Sequence, residues 1–192
     1  MDIKEIINKN DIIHIYSQHK KKFLEYLNKY KSDKSLSHDY HIPYGFIYNL
    51  LPAGPMFEIG IGSHNPNFPS TMGGGSWVPG GSLRAWRDTK KFTHCYGADI
   101  DKDVIFNDDK ISTFVVDQLN IDSLQKLNEG LRSHEPHGFS LIIDDGFHDF
   151  TANSNSFRAF KSLIKKNEYS LVRTFNCNVS RIFNHPKLGM HV

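Results

Sequence analysis

The sequence predicts an α/β fold in which a mostly parallel sheet is covered by helices on both faces. Three observations carry this expectation. Short apolar runs recur, MFEIGIG from Met56, HCYGADID from His94, STFVVDQ from Ser112 and FSLIIDDG from Phe139, and each reads as a strand. Every run carries a glycine or an acid at its C-terminal end. Helix-length segments, Leu83–Arg87, Leu124–Leu131 and Phe157–Ile164, separate or follow the runs. Strand alternating with helix implies parallel strands with both faces buried, and ligands of such sheets bind at the C-terminal strand ends.

Length and charge bound the rest. The 192 residues, 39% of them hydrophobic, suffice for one sizeable core. Lys+Arg 23 against Asp+Glu 21 leaves a charge of +2, which removes the electrostatic case for a dedicated nucleic-acid binder. No apolar run approaches the roughly 20 residues that span a bilayer, and MDIKEIINKND lacks the apolar core of a signal peptide. A soluble, cytoplasmic protein with no membrane partner is expected. Cys95 and Cys177 have no partner spacing, so neither a disulfide framework nor a cysteine zinc site is indicated, and Cys95 reads as a small core residue.

Taken in order, the first fifty residues read as helical. Ile3, Ile6 and Ile7, then Phe23, Leu24, Leu27 and Tyr30, recur at helical spacing, with Ser17 placed to cap the second run. The first strand ends in Glu58-Ile59-Gly60-Ile61-Gly62, where glycines let the backbone turn tightly and approach a ligand. From Ser63 to Ser82, with Gly73-Gly74-Gly75 and Pro79-Gly80-Gly81, the chain exceeds an ordinary connection of about 2–6 residues. It reads either as a disordered insertion or as a functional loop beside a ligand. The second strand ends at Asp99, whose carboxylate suits two ribose hydroxyls, and the third at Asp117-Gln118, suited to an adenine edge. Asn120 or Asp122 caps the helix that follows.

The fourth strand ends in Asp144-Asp145-Gly146-Phe147-His148. Adjacent carboxylates behind an apolar strand need a cation, a donor or solvent to offset their repulsion. Asp145 suits a hard divalent cation such as Mg²⁺, and His148 suits a general base near neutral pH. Each piece alone has a plainer reading, as a strand-ending turn, a capping acid or a surface histidine. Their succession along the chain favours a common site.

Together these residues resemble a class I S-adenosylmethionine-dependent methyltransferase, most closely the metal-dependent macrocin and mycinamicin sugar O-methyltransferase group. The similarity runs from about Lys31 to Lys166. It includes Ser32-Asp33-Lys34 with His38 and Tyr40, FEIGIG, the stretch Gly80-Gly81-Ser82-Leu83-Arg84-Ala85-Trp86, YGADID ending at Asp101, Asp117-Gln118, and IDDGxH ending at His148. The resemblance implies a Rossmann-like three-layer sandwich behind an N-terminal helical lid, residues 1–50, with the methyltransferase domain over 51–192. It implies that Glu58, Gly60 and Gly62 contact the methionine part of S-adenosylmethionine, with Asp99 on the ribose, Asp117 and Gln118 near the adenine, and Ser82, Arg84 and Asp144 bordering the cofactor. Asp145 becomes a metal ligand and His148 the base toward a sugar or glycosylated acceptor. Homo-oligomers are common among such proteins.

One departure stands out. The resemblance calls for a fifth strand introduced by a Gly turn and ended by a Glu-Asp pair that completes the metal site; here the chain reads Asn167-Glu168-Tyr169-Ser170-Leu171-Val172-Arg173-Thr174-Phe175. Loss of one G from codons for Gly-Ile-Phe-Ile-Ser-Glu-Asp-Ile yields Glu-Tyr-Ser-Leu-Val-Arg-Thr-Phe, so residues from about 168 to 192 read as an out-of-frame tail. The sheet is then expected to lack the last strands of the usual seven, with an open edge at its fourth strand and a weakened metal site. The alternative is that Tyr169–Phe175 still pairs as a fifth strand.

Three rival functions are weaker or narrower. A nicotinamide-dependent oxidoreductase needs GxGxxG with an acid about 20 residues on; here the last fingerprint position is Asn65 and Asp99 lies 39 residues after Gly60. A non-catalytic S-adenosylmethionine-binding or interaction module is consistent with the missing acidic pair. A metal-dependent hydrolase built on Asp144, Asp145 and His148 leaves Glu58, Asp99 and Asp117 without a role.

Overall fold

The apolar runs become neighbouring strands of one sheet. The computed structural model describes residues 9–36, 38–68, 75–172 and 181–183. In chain order these form α1 (Lys9–Lys29), α2 (Asp33–Leu36), α3 (His41–Leu50), β1 (Gly54–Ile59), α4 (Gly81–Asp88), β2 (Phe92–Asp99), β3 (Asn107–Asp108), β4 (Ile111–Val115), α5 (Ile121–His134), β5 (Phe139–Asp144), α6 (Phe150–Phe160), β6 (Ile164–Val172) and β7 (Arg181–Phe183). The sheet order is β3-β4-β2-β1-β5-β6-β7. The five strands from β4 to β6 pair in parallel, and β3 and β7 flank them antiparallel. Among the described residues no helix is long and apolar enough to cross a membrane.

Strand β1 lies at the centre and is buried along its whole length, as a strand covered on both faces must be. Its side chains alternate between two cores. Met56 joins Phe23, Leu27, Tyr44, Leu83 and Trp86 on the face of α1, α3 and α4. Phe57 and Ile59 join Leu124, Leu131, Phe139 and Phe160 on the face of α5 and α6. The period of two puts Glu58 on the same side as Met56. Helices α1 and α3 are thus continuous with the sheet's own core. Phe23 meets the Trp86 ring at 4.3 Å, and Tyr44 meets it at 5.0 Å. At the rim, Lys29 Nζ lies 2.8 Å from Asp88 Oδ2, and the Tyr30 hydroxyl donates to the same oxygen at 2.7 Å.

Several expectations are revised. Helix α1 runs unbroken through Ser17, so that exposed residue lies inside the helix rather than at the start of one; a serine on a solvated helix face costs little. The helix expected from Phe157 begins at Phe150, because the Asp149 side chain accepts from the Thr151 and Ala152 amides at 2.7 and 3.3 Å. Its first turn carries no apolar period, so only the cap marks it. Asn120 does cap α5, accepting from the Ser123 amide at 3.1 Å. The edge expected to be open at the fourth strand is covered: β6 pairs with β5 from Phe139↔Ile164 to Asp144↔Val172. Backbone pairing needs no carboxylate, and the apolar residues near Leu171 are compatible with it. Ile3, Ile6, Ile7, Gly73, Gly74, Phe175 and Cys177 lie outside the described residues.

Candidate functional site

The strand order reverses direction between β1 and β5, and the crevice at that point is where ligands of open α/β sheets bind. A cavity of about 450 Å³ opens there. Of the residues expected at the site, Gly60, Gly62, Asp99, Asp117, Gln118, Asp145 and His148 line it; Glu58, Ser82, Arg84 and Asp144 do not.

The β1 side is backbone. Gly60 and Gly62 adopt φ of 82° and 93°, a region that favours glycine. A Cβ on Gly60 would stand 2.2 Å from the Asp145 carbonyl oxygen, so the residue also lets the ends of β1 and β5 close on each other. Asp99 fixes this turn. Its Oδ2 accepts from the amides of Ile61 and Gly62 at 3.0 and 3.1 Å, and its Oδ1 from the Asp101 amide at 3.1 Å. Burial raises its pKa, against the pull of those amides. A carboxylate has about four acceptor sites, so these three bonds leave it about one for a ligand, rather than the two-hydroxyl grip expected from sequence. Ser63 hydrogen-bonds Asp101, and the next side chain, His64, stacks on Trp77 at 3.8 Å between centroids. The described ends of the long glycine-rich segment therefore lie beside the cavity, with Ser63 and Phe68 in its wall.

The β4 end contributes Asp117 and Gln118 in different ways. Asp117 lines the cavity and accepts from the Leu119 amide at 2.9 Å. Gln118 is a cross-link. Its Nε2 donates to Asp144 Oδ1 at 3.0 Å and to Ser156 Oγ at 2.7 Å, while its Oε1 accepts from the Phe147 amide at 2.6 Å. The β4 end, the β5 end and α6 are thereby held in one register. Asp144 Oδ1 also accepts from the Gly146 amide at 3.3 Å, whereas its Oδ2 is buried without a hydrogen-bond partner. Burial pushes the Asp144 carboxyl up to about 7, and the side chain lies behind the residues that line the cavity.

Asp145 and His148 line the cavity as well, with His148 Nε2 3.8 Å from Asp145 Oδ1. The side chain that sequence reasoning left without a role is Lys34. Its ammonium, 3% exposed, lies 2.5 Å from Asp145 Oδ2, 3.1 Å from Glu58 Oε1 and 3.8 Å from Asp33 Oδ1. Burial draws the Lys34 pKa down, but the charges of Asp145, Glu58 and Asp33 outweigh it and leave it well above the ordinary lysine value. Glu58 also accepts from Ser82 Oγ at 2.8 Å. Ser82 and Glu58 are thus buried scaffolding beneath the cavity. Arg84 turns away to lie over the Phe106 ring, donating to the Pro79 carbonyl at 2.9 Å. The remaining wall is apolar, with Ile100, Val116, Leu119 and Phe147, residues without a chemical signature in sequence.

Among the described residues no group of three or more His, Cys, Asp or Glu side chains could hold a metal ion. Of the expected metal ligands only Asp145 lies among the described residues, and the Lys34 ammonium already pairs with its Oδ2, so the described residues offer a divalent cation no complete set of ligands. A nucleoside-bearing ligand does fit. The volume is in the range of small-molecule sites, the glycine turn offers close backbone approach, and apolar side chains flank the ends of β2 and β4.

No protein-family model matches the sequence, and no curated protein matches it. Solved structures do. MycE methyltransferase from the mycinamycin biosynthetic pathway, in complex with Mg and SAH, is similar with a TM-score of 0.59 in one crystal form, at 23% identity over 78% of this chain and 35% of that chain. A second crystal form gives 0.58 at 24% identity, and the complex with Mg, SAH and mycinamycin VI gives the same values, each over 78% of this chain and 38% of that chain. The chain thus spans little more than a third of the length of these structures. The likeness establishes the fold: a Rossmann-like sheet of the kind those methyltransferases carry.

Proposed function

We propose that the chain is an S-adenosylmethionine-dependent O-methyltransferase acting on a hydroxyl of a sugar or sugar-containing small molecule. One arrangement carries this reading. The glycine turn, Asp99 and Asp117 line one strand-end cavity together with Asp145 and His148. The fold neighbours bind SAH, and one was solved with mycinamycin VI.

S-adenosylmethionine, when bound, supplies an electrophilic methyl group. The protein's own work is then binding, orientation and proton transfer. Gly60 and Gly62 admit the ligand against bare backbone, Asp99 offers its remaining acceptor site to a ribose hydroxyl, and the apolar residues around Leu119 receive the base. His148 accepts the proton of the acceptor hydroxyl at its imidazole, which makes the oxygen nucleophilic. His38 and Phe68, at the cavity wall, help to exclude water. Tyr44 is buried against Trp86 and serves packing. No step runs through a metal ion.

The test is calorimetric titration with S-adenosylmethionine and SAH, with NADH as control, followed by a methyl-transfer assay on glycosylated acceptors. Binding of SAH but not NADH, with transfer abolished in His148→Ala, is the expected result. Binding of NADH in place of SAH overturns the reading. The engagement of Asp145 by Lys34 favours one second reading, a module that binds the cofactor without turnover. SAH binding with no transfer to any acceptor supports that one.

A further inference from the structure

The cluster beneath the cavity raises a question that the proposed chemistry does not use: what neutralises Asp145. Three buried carboxylates, Asp33, Glu58 and Asp145, converge on one ammonium carried by α2. Buried charges persist only when paired, and a like charge brought within a few ångströms is strongly disfavoured where water is excluded. A divalent cation seated on Asp145 would therefore meet the ammonium on the same carboxylate.

We propose that Lys34 is the resident cation of this site: it holds Asp145 in place of a divalent ion, and such an ion reaches Asp145 only when the ammonium is removed. The proposal rests on the reading of the cavity as a cofactor site, with Asp145 on its cation side. Lys34 is thus a positioning residue. Through Asp145 and Glu58 it ties the segment before α3 to the ends of β5 and β1, so this part of the site is organised without metal. Cofactor binding in this chain is then indifferent to Mg²⁺.

The experiment is Mn²⁺ binding followed by electron paramagnetic resonance on the full chain. Five forms are compared: wild type, Asp145→Asn, Lys34→Gln, Lys34→Arg and the double variant that joins Lys34→Gln to Asp145→Asn. Wild type is expected to show no Mn²⁺ site that depends on Asp145. Lys34→Gln should bind Mn²⁺ at least about tenfold more tightly, the scale on which groups around a ligand tune metal affinity. The gain should vanish when Asp145→Asn is added. Lys34→Arg keeps the positive charge and should keep the low affinity, so a gain in Lys34→Gln but not in Lys34→Arg assigns the effect to charge, whereas a purely structural role would give both variants the same result. The proposal is overturned if wild type binds Mn²⁺ tightly and Asp145→Asn removes that binding, or if a folded Lys34→Gln gains none. Should Lys34→Gln fail to fold, the comparison of wild type with Asp145→Asn still decides. The readout needs no S-adenosyl ligand, so failure here is separate from failure of the methyltransferase reading, which SAH titration tests on its own.

Discussion

Asp144 shows how a residue can look like chemistry in sequence and prove to be support. Its neighbour faces the cavity, whereas its own carboxyl is buried behind Gln118 and sits at about 7 in the folded chain against 3.8 ordinarily. A carboxyl whose folded pKa is raised favours the folded state most when both states are protonated. That contribution is full below about 4 and is lost as pH rises to about 7, on the order of 4 kcal/mol in total. Asp144→Asn keeps Oδ1 for Gln118 and Gly146 but cannot ionise. The variant is expected to be more stable than wild type at pH 8 and about equal to it at pH 4, as read by urea unfolding at the two pH values; equal pH dependence in both proteins would refute the assignment. Sequence made the acids at the strand ends legible because each interrupts an apolar run. It could not distinguish the acid that faces the cavity from the acid behind it, nor find Lys34, whose partners Glu58 and Asp145 come from distant strands.

At the scale of elements, period and punctuation were enough for most of the fold. Four apolar runs mark β1, β2, β4 and β5, and Asn120 marks the start of α5. The early start of α6 was hidden because its first turns, Phe150 to Ser156, show no apolar period and only Asp149 announces them. Strand β6 was obscured by the polar run Lys165-Lys166-Asn167-Glu168 in its middle, since pairing with β5 is a property of the backbone. The contact between the N-terminal helices and the sheet rests on Trp86, fully buried between Phe23, Tyr44 and Phe92. Trp86→Ala removes this anchor and is expected to cost about 3–5 kcal/mol. Calorimetric unfolding should show the loss. Because α2 follows α1 and carries Lys34, the same variant should weaken SAH binding although Trp86 lies outside the cavity.

For the whole molecule, the cavity is a product of the strand order and belongs to no single segment. A ligand that binds only the folded state stabilises it by mass action, so SAH at about 100 times its dissociation constant should add about 2.7 kcal/mol to unfolding free energy. A thermal scan with and without Mg²⁺ measures this, and the resident-cation proposal expects the two curves to coincide. The same strand order has a consequence for how the chain assembles. β1 pairs on one side with β2, which follows soon after it, and on the other with β5, so that Met56 must find Leu141 across most of the intervening chain. Closing so long a loop is entropically costly and slow compared with local pairing. The half from β1 to β4 can gather first, while β5 docks late and brings Asp145 and His148 with it. A newly made chain therefore has a glycine turn before it has a pocket, and a ligand touching both walls rewards only the last step of folding.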